Sequence, residues 1–208
     1  PEKVLKFIQT TKLDENQKAA LSKPIVAQPA FKPVEKLPYS PGEMIATRYA
    51  FADYLLRLAE LNPDIVALSA DLTESVGLGK FAGKYPERFV TLGIREAHMM
   101  GLAAGLAACG KIVIVGTFEK FVVSRALDQI ITSIAQTNLP VIMIASHAGY
   151  GLGEDGKTHQ SVLEPTIMRD MPGVRYFEPA DGNEAQEFLE EALGGAYKGK
   201  GPAYLRLT

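Results

Sequence analysis

The chain has 208 residues, which suits a single domain with a short segment to spare. Hydrophobic residues make up 47% and charged residues 22%, as in ordinary globular proteins, and the net charge of −2 offers no basic surface for nucleic acid or an anionic membrane. No apolar run approaches the roughly 20 residues of a membrane helix, no signal peptide is visible, and the single cysteine excludes an internal disulfide framework and favours a reducing, cytoplasmic location.

The first 44 residues differ in composition from the rest of the chain. Residues 1–41 contain six prolines and no glycine, whereas all 19 glycines come later. Prolines spaced through extended sequence are typical of a semi-rigid linker, and the pattern also permits a short helix within residues 4–21. We therefore expect residues 1–44 to be a linker from a preceding domain or an arm that packs on a partner. The chain begins with Pro1 rather than Met, which indicates a fragment or a processed product.

From residue 45 onward, strand-like and helical patterns alternate. Short apolar runs predict strands at residues 64–69, 89–94, 111–116, 141–146, 174–177 and 203–207. Helical patterns occur at residues 47–61, 76–85, 96–108, 119–136, 162–171 and 183–197. Strands separated by helices indicate an α/β fold with a parallel sheet of about six strands and helices on both faces.

A glycine-rich loop follows the fourth predicted strand. Residues 146–160 read SHAGYGLGEDGKTHQ and place His147, Glu154, Asp155 and His159 among four glycines. An open α/β sheet binds its ligands at the carboxyl ends of its strands, and glycine lets the backbone approach a ligand closely. The loop is therefore the first candidate for a functional site.

Two phosphate-binding patterns fit the letters of this loop from Gly151 onward. They are G-x-x-x-x-G-K-T, the P-loop pattern, and G-x-G-x-x-G, the dinucleotide-binding pattern. Both present backbone N–H groups and a helix N-terminus to phosphate oxygens, whereas Glu154 and Asp155 would place two negative charges inside that cradle. Both patterns also belong after the first strand of their unit rather than the fourth. A P-loop nucleotide hydrolase is therefore kept as a distant alternative.

Seven short motifs, in order along the chain, are shared with one enzyme family. They are ATRYAFADYL (46–55), SADLTES (69–75), LGIREAHMMGLAAGLA (92–107), GTFEKF (116–121), GLGEDGKTHQ (151–160), PADGNE (179–184) and YLRLT (204–208). Residues 45–208 resemble the pyrimidine-binding domain of transketolases through these motifs. The resemblance implies an enzyme that uses thiamine diphosphate to transfer a two-carbon ketol unit between sugar phosphates.

The resemblance implies four residues that hold the cofactor. Glu96 matches the glutamate that hydrogen-bonds the aminopyrimidine ring nitrogen and promotes the imino tautomer, and we expect it in an apolar pocket. Phe118 and Phe121 match the aromatic residues around the pyrimidine ring, and their spacing predicts that both lie on one side of a helical turn. Asp71 matches a residue close to the cofactor.

Two further groups of residues are implied to bind the substrate. The residues that match the family's contacts to the reacting carbonyl and hydroxyls are His147, Asp155 and His159, and both histidines are candidates for catalytic proton transfer. The residues that match the grip on the sugar phosphate are Arg48, Ser75 and Arg206, in which the arginines suit a phosphate through paired, charge-assisted hydrogen bonds.

The diphosphate half of the cofactor site is missing from these motifs. Family members hold Mg²⁺ and the diphosphate through a GDG motif in another domain, and this chain has no GDG and no expected metal ligand of its own. The resemblance therefore implies a diphosphate-binding domain or subunit as partner, with sites shared between protomers of a homodimer or heterotetramer. The chain alone is not expected to be an enzyme.

Several positions depart from the transketolase pattern. Lys157 stands where the family usually has Pro, Ser124 where a further Tyr is common, and Ala97 follows the glutamate as in deoxyxylulose-phosphate synthases. His98 has no predicted role. Such a synthase, or a 2-oxoacid dehydrogenase beta component, is the alternative within thiamine enzymes, whereas the GEDG stretch and Arg95 favour transketolase.

Overall fold

The computed structural model describes residues 30–40 and 43–208. The strands in this part of the chain are β1 (Ile65–Ser69), β2 (Phe89–Thr91), β3 (Ile112–Phe118), β4 (Val141–Ser146), β5 (Arg175–Phe177) and β6 (Ala203–Arg206). The α-helices are α1 (Thr47–Leu61), α2 (Gly79–Lys84), α3 (Glu96–Ala108), α4 (Glu119–Gln129), α5 (Glu164–Asp170) and α6 (Gly182–Tyr197). Pro86–Arg88 forms a 3-10 turn, and Ile130–Ala135 continues α4 as a π-helical turn.

All six of these strands form one parallel sheet in the order β2-β1-β3-β4-β6-β5. The α/β fold class predicted from the sequence is therefore confirmed. From β1 the chain moves outward to β2 and then returns to place β3 on the other side of β1. The carboxyl ends of β1 and β3 consequently border the switch point where sheets of this kind bind ligands.

The core consists of two apolar layers, one on each face of the sheet. Along β3, Ile112 and Ile114 belong to the layer under α1 and α6, whereas Val113 and Val115 belong to the layer under α3 and α4. These four side chains are fully buried, as expected for a central parallel strand covered on both faces. Each contributes about 1.5–3 kcal/mol of burial free energy.

The ends of some elements differ from the prediction. β3 runs two residues further than predicted, so that Phe118 is its last residue. β2 ends at Thr91 rather than at residue 94, because Gly93 has a left-handed backbone with φ of 68° and turns the chain toward α3. The predicted helix over 119–136 is α-helical only to Gln129. Among the described residues, we find no helix with the length and apolar character needed to span a membrane.

Residues 30–40, here called the strap, have no regular secondary structure and run beside α1 and α6. Three side-chain carboxamides each bind both the N–H and the C=O of one strap residue, much as a neighbouring strand would. The pairs are Lys32 with Asn62 (3.0 and 2.9 Å), Leu37 with Gln186 (2.7 and 2.8 Å) and Tyr39 with Asn183 (3.4 and 3.2 Å). Phe31 adds a ring contact to Tyr197, with centroids 5.6 Å apart. The strap thus packs on helices of its own domain, while the helix predicted within residues 4–21 lies outside the described residues.

Candidate active site

A cavity of about 380 Å³ opens at the carboxyl ends of β1 and β3. Apolar side chains such as Leu72 and Ile94 form part of its wall. Seven of the ten residues predicted for the site line it: Asp71, Ser75, Glu96, Phe118, Phe121, Asp155 and His159. The structure therefore brings together residues from four separate motifs, whereas Arg48, His147 and Arg206 lie outside the lining.

Glu96 is the first residue of α3 and is only 3% exposed. Its Oε1 accepts a hydrogen bond of 2.7 Å from Nη1 of Arg125, which also lines the cavity. The Arg125 guanidinium lies over the Phe121 ring at 3.6 Å from its centroid. The pocket of Glu96 therefore has apolar walls, as expected, but it also contains a cation that compensates the charge of the buried carboxylate.

Arg125 is the charged residue of this cavity that the sequence interpretation missed. It lies four residues after Phe121 on α4, and side chains at that spacing share a helix face. The predicted role of Phe121 would therefore have placed Arg125 beside the wall formed by Phe118 and Phe121. The preceding residue, Ser124, where a Tyr is common in the family, donates its hydroxyl to the Lys120 carbonyl at 2.5 Å.

The rings of Phe118 and Phe121 form a stacked pair, but the two residues do not share the helical turn that their spacing predicts. Phe118 ends β3 in an extended conformation and Phe121 lies in the first turn of α4. Their ring centroids are 5.9 Å apart and the planes differ by 22°. His159 packs edge-on against Phe121 at 5.0 Å, and His147 packs on Phe118 at 4.2 Å. The histidines and the aromatic wall thus form one cluster.

Two predicted site residues have left-handed backbone conformations. Asp71, two residues after β1, has φ of 65°, and His147, directly after β4, has φ of 55°. Such a conformation costs a residue other than glycine about 1–3 kcal/mol and persists where the surrounding structure enforces it. Strain of this kind clusters at functional sites, which supports the predicted roles of both residues.

The His147 imidazole is held in its neutral form near pH 7. Burial and the nearby Arg48 lower the pKa of His147 below its usual 6.5, while Asp155 opposes this shift. Its Nδ1 lies 3.0 Å from the hydroxyl of Ser146. A neutral imidazole can accept a proton or a hydrogen bond from a substrate hydroxyl, which a cationic one cannot.

The two arginines predicted to bind phosphate differ in their availability. Nε of Arg48 is buried and has no hydrogen-bond partner within the described part of the chain. Arg206 instead donates from Nε to Oε1 of Glu119 at 2.9 Å and from Nη1 to Glu178. The charge of Arg206 is thus already balanced by two carboxylates, whereas the Nε–H of Arg48 is a buried donor without a partner in the described part of the chain.

A second, larger pocket of the described residues lies apart from this cavity. A groove of about 620 Å³ between Leu127, Ile131 and Ile167 is larger but mostly apolar, and none of the predicted site residues line it. Within residues 30–40 and 43–208, no group of three or more His, Cys, Asp or Glu side chains is arranged to hold a metal ion. Of these two pockets, only the smaller cavity is lined by predicted site residues.

The fold and the cavity define a class of cofactor-binding domain, in which a buried carboxylate and facing aromatic rings stand at the switch point of a parallel α/β sheet. Residues 43–208 match the family model of the transketolase pyrimidine binding domain, and the chain belongs to this family. It is a pyrimidine-binding domain of a thiamine-diphosphate enzyme of the transketolase family. The resemblance noted in the sequence is thereby confirmed.

Similar proteins include more than one kind of enzyme. The chain is 38% identical over 143 residues to a 1-deoxy-D-xylulose-5-phosphate synthase of Syntrophus aciditrophicus, covering 69% of this chain and 22% of the relative. It is 37% identical over 160 residues to a 6-deoxy-6-sulfo-D-fructose transketolase subunit of a Clostridium strain, covering 77% and 48%. A split-gene transketolase, solved as an inactive beta4 tetramer, superposes with a TM-score of 0.68 at 39% identity, covering 79% and 51%. The chain thus spans less than half the length of these two curated relatives.

Proposed function

We propose that this chain supplies the pyrimidine half of the active site of a ketol-transferring enzyme, a transketolase in the broad sense. The observation that carries the proposal is the cavity that brings Glu96, Phe118 and Phe121 together with Asp155 and His159. These residues come from distant parts of the sequence, and their convergence supports a shared role. The GEDG stretch of the loop and Arg95 beside the glutamate favour transketolase over its relatives.

The cavity residues fit the aminopyrimidine ring of thiamine diphosphate. Phe118 and Phe121 offer flat apolar faces, and Glu96 is the buried carboxyl group that a ring nitrogen requires as a hydrogen-bond partner. When bound, the cofactor supplies the carbanion chemistry that amino-acid side chains cannot provide. Glu96 holds the proton at the ring nitrogen and, with it, the tautomer of the ring. Arg125 sets the direction of the Glu96 carboxylate through the 2.7 Å hydrogen bond.

The glycine-rich loop supplies the groups that handle substrate hydroxyls. His147, neutral near pH 7, accepts a proton or hydrogen bond, and Asp155 accepts hydrogen bonds from sugar hydroxyls. His159 stands edge-on to the aromatic wall and faces the same cavity. For the substrate phosphate, Arg48 is the better candidate because Arg206 would first have to give up its carboxylate partners.

The diphosphate and its Mg²⁺ require residues from a partner domain or subunit. The relatives extend well beyond the matched region, and one solved relative is a split-gene transketolase. We therefore expect the active protein to be a homodimer or a heterotetramer in which each site combines this domain with a diphosphate-binding domain.

A second candidate reaction is the formation of 1-deoxy-D-xylulose 5-phosphate. The identity of 38% to a synthase of that product and the Ala97 that follows the glutamate favour it. Both reactions use the same half-site for the pyrimidine ring. They differ in the groups that meet the donor and acceptor, and the loop residues are those that would tell them apart.

The test uses the complete assembled protein with thiamine diphosphate and Mg²⁺. We expect ketol transfer from xylulose 5-phosphate to ribose 5-phosphate, and a loss of about 10²–10⁴-fold in Glu96→Gln, the range that proton transfer by a positioned side chain provides. Glu87→Gln makes the same change at a carboxylate that is 68% exposed and is expected to leave the rate unchanged. Production of 1-deoxy-D-xylulose 5-phosphate without ketol transfer would establish the second candidate instead. Full activity in Glu96→Gln would refute the assigned role.

A further inference from the structure

Glu119 is a fully buried carboxylate to which neither the sequence motifs nor the proposed chemistry give a role. It lies between the two cofactor-wall residues Phe118 and Phe121, at the start of α4. Its side chain points away from the cavity lining and into the base of the glycine-rich loop, where Gly149 donates a backbone N–H to Oε2 at 3.1 Å and Ser161 donates its hydroxyl to the same oxygen. A single oxygen thus binds Gly149, near the start of the glycine-rich loop, and Ser161, directly after its end.

The same two loop residues also bind each other. The N–H of Gly149 contacts the Ser161 hydroxyl at 2.8 Å, and the N–H of Ser161 donates to the Gly149 carbonyl at 3.1 Å. The chain between these residues is therefore a closed loop. Its two ends, Gly149 and Ser161, are here called the loop neck, and both are hydrogen-bonded to Glu119. Asp155 and His159 lie inside the loop, and His147 precedes the neck by two residues.

The other oxygen of Glu119 is bound by two donors from β6. Oε1 accepts from Nε of Arg206 at 2.9 Å and from the hydroxyl of Tyr204 at 3.3 Å. A buried carboxylate is tolerable only when it is paired with a cation and fully hydrogen-bonded, and Glu119 meets both conditions. All of its partners are hydrogen-bond donors, so both side-chain oxygens of residue 119 have to be acceptors. An amide in place of the carboxylate would present N–H groups to donors and remove the counter-charge of Arg206.

A second ion pair fixes the loop beyond its neck. Nζ of Lys120 donates to Oε1 of Glu164 at 2.9 Å, and Oε2 of Glu164 accepts from the N–H of Val162 at 2.7 Å. The two residues between the facing aromatic rings, Glu119 and Lys120, therefore both hold the glycine-rich loop. The cofactor wall and the loop are joined through two successive residues of one helical turn.

We propose that Glu119 is a positioning residue of the active site, which sets the loop carrying Asp155 and His159 against the wall formed by Phe118 and Phe121. Its role in turnover rests on the proposed ketol-transfer function, whereas its hold on the loop does not. Arg206 belongs to this support on the same argument. Its guanidinium compensates the Glu119 charge rather than serving first as a phosphate ligand.

The experiment measures loop opening and catalysis separately in the complete assembled protein. Hydrogen exchange of the amides in residues 147–163 is compared in the wild type, Glu119→Gln and Ser161→Ala, and kcat/KM for the sugar donor is measured beside the Kd for thiamine diphosphate. Glu178→Gln is the matched control, because it removes the exposed partner of Arg206 and leaves the loop contacts intact. Ser161→Ala is the milder variant, which keeps the test valid if Glu119→Gln folds poorly.

Loss of a hydrogen bond to a charged group is expected to speed exchange at the loop neck by about tenfold or more in Glu119→Gln and Ser161→Ala, and by less than about twofold in Glu178→Gln. kcat/KM for the donor falls at least about tenfold with cofactor Kd unchanged, a separation that general loss of stability does not produce. Unchanged loop exchange overturns the proposal whatever the activity. Faster exchange in a protein whose wild type performs no ketol transfer supports the hold on the loop and refutes the proposed function. Faster exchange with full ketol transfer refutes the positioning role.

Discussion

Replacing Gln186 by alanine is expected to loosen the strap while leaving the active-site cavity unchanged. The Gln186 side chain is fully buried, and its carboxamide binds the N–H and C=O of Leu37 at 2.7 and 2.8 Å. Each such hydrogen bond contributes about 1 kcal/mol net, so that losing both weakens strap docking by about 2 kcal/mol. That loss corresponds to an increase of about 30-fold in the detached fraction.

The assay is residue-resolved hydrogen exchange on the assembled protein, because a multidomain assembly does not unfold in one two-state step. The informative amide is that of Lys32, whose acceptor on Asn62 is untouched by the substitution. If the strap detaches as one unit, exchange at Lys32 accelerates by the same factor of about 30. Asn183→Ala is the control, since its contacts with Tyr39 are exposed and longer, and we expect less than about a threefold change. Unchanged exchange at Lys32 in Gln186→Ala would refute the cooperative docking.

Three other substitutions test the loop, the cavity and the core. Burial raises the pKa of Glu164, but hydrogen bonds from Lys120 and from backbone N–H groups outweigh it and hold the pKa below its usual value. Lys120→Met is therefore expected to lower stability at pH 7. In denaturation measured over a series of pH values, the difference from the wild type vanishes as the pH falls through the lowered pKa. Arg48→Met removes a positive charge near His147, so the pKa of His147 rises toward 6.5 in an NMR titration. Gly116→Ala places a Cβ 2.9 Å from two buried side-chain carbons and costs about 1–3 kcal/mol in thermal unfolding.

Each of these three has a matched control. Lys84→Met breaks an exposed ion pair with Glu60 and is expected to change stability little at any pH. Arg57→Met removes an arginine whose guanidinium binds the strap and leaves the His147 titration unaltered. Gly101→Ala adds a Cβ with no heavy atom within 4 Å in a helix and is expected to be neutral or slightly stabilising. A pH-independent effect of Lys120→Met, an unmoved titration in Arg48→Met, or full stability in Gly116→Ala would contradict the respective argument.

The sign of the His147 effect on stability also follows from its titration. Because its pKa is lowered in the folded protein, the folded state binds fewer protons than the unfolded chain as the pH falls below about 6.5. Stability therefore decreases in that range by this contribution. Arg48→Met brings the pKa of His147 in the folded protein closer to its value in the unfolded chain, so the loss of stability at low pH becomes smaller.

The fold was predictable because its signals are local and repeated. Central strands such as β3 and β4 are continuous apolar runs, which only a sheet covered on both faces can bury. The edge strand β2 is short and partly exposed, so its end depended on the turn at Gly93 rather than on its apolar letters. The helix predicted over 119–136 was right up to Gln129, beyond which the backbone changes to the π-helical turn.

The site was predictable where motif letters meet in space, and unpredictable where distant charges pair. Phe118, Phe121 and Glu96 converge as the motifs implied. Arg125 pairs with Glu96 across 29 positions of the sequence, and Arg206 pairs with the buried Glu119 across 87 positions. Spacing along one helix or strand cannot reveal either ion pair. The seven motifs matched without these partners, because motif letters record the groups around the ligand and not the groups that support them.

The left-handed backbone at His147 limits what mutagenesis of this residue can tell. At φ of 55°, substitution by alanine changes the side-chain chemistry and the conformational preference of the backbone at once. Asparagine tolerates this region far better than alanine, so His147→Asn removes the imidazole and keeps the turn. The difference between the two variants measures backbone tolerance, and the asparagine variant alone measures the imidazole. The same choice of replacement applies to Asp71, where φ is 65°.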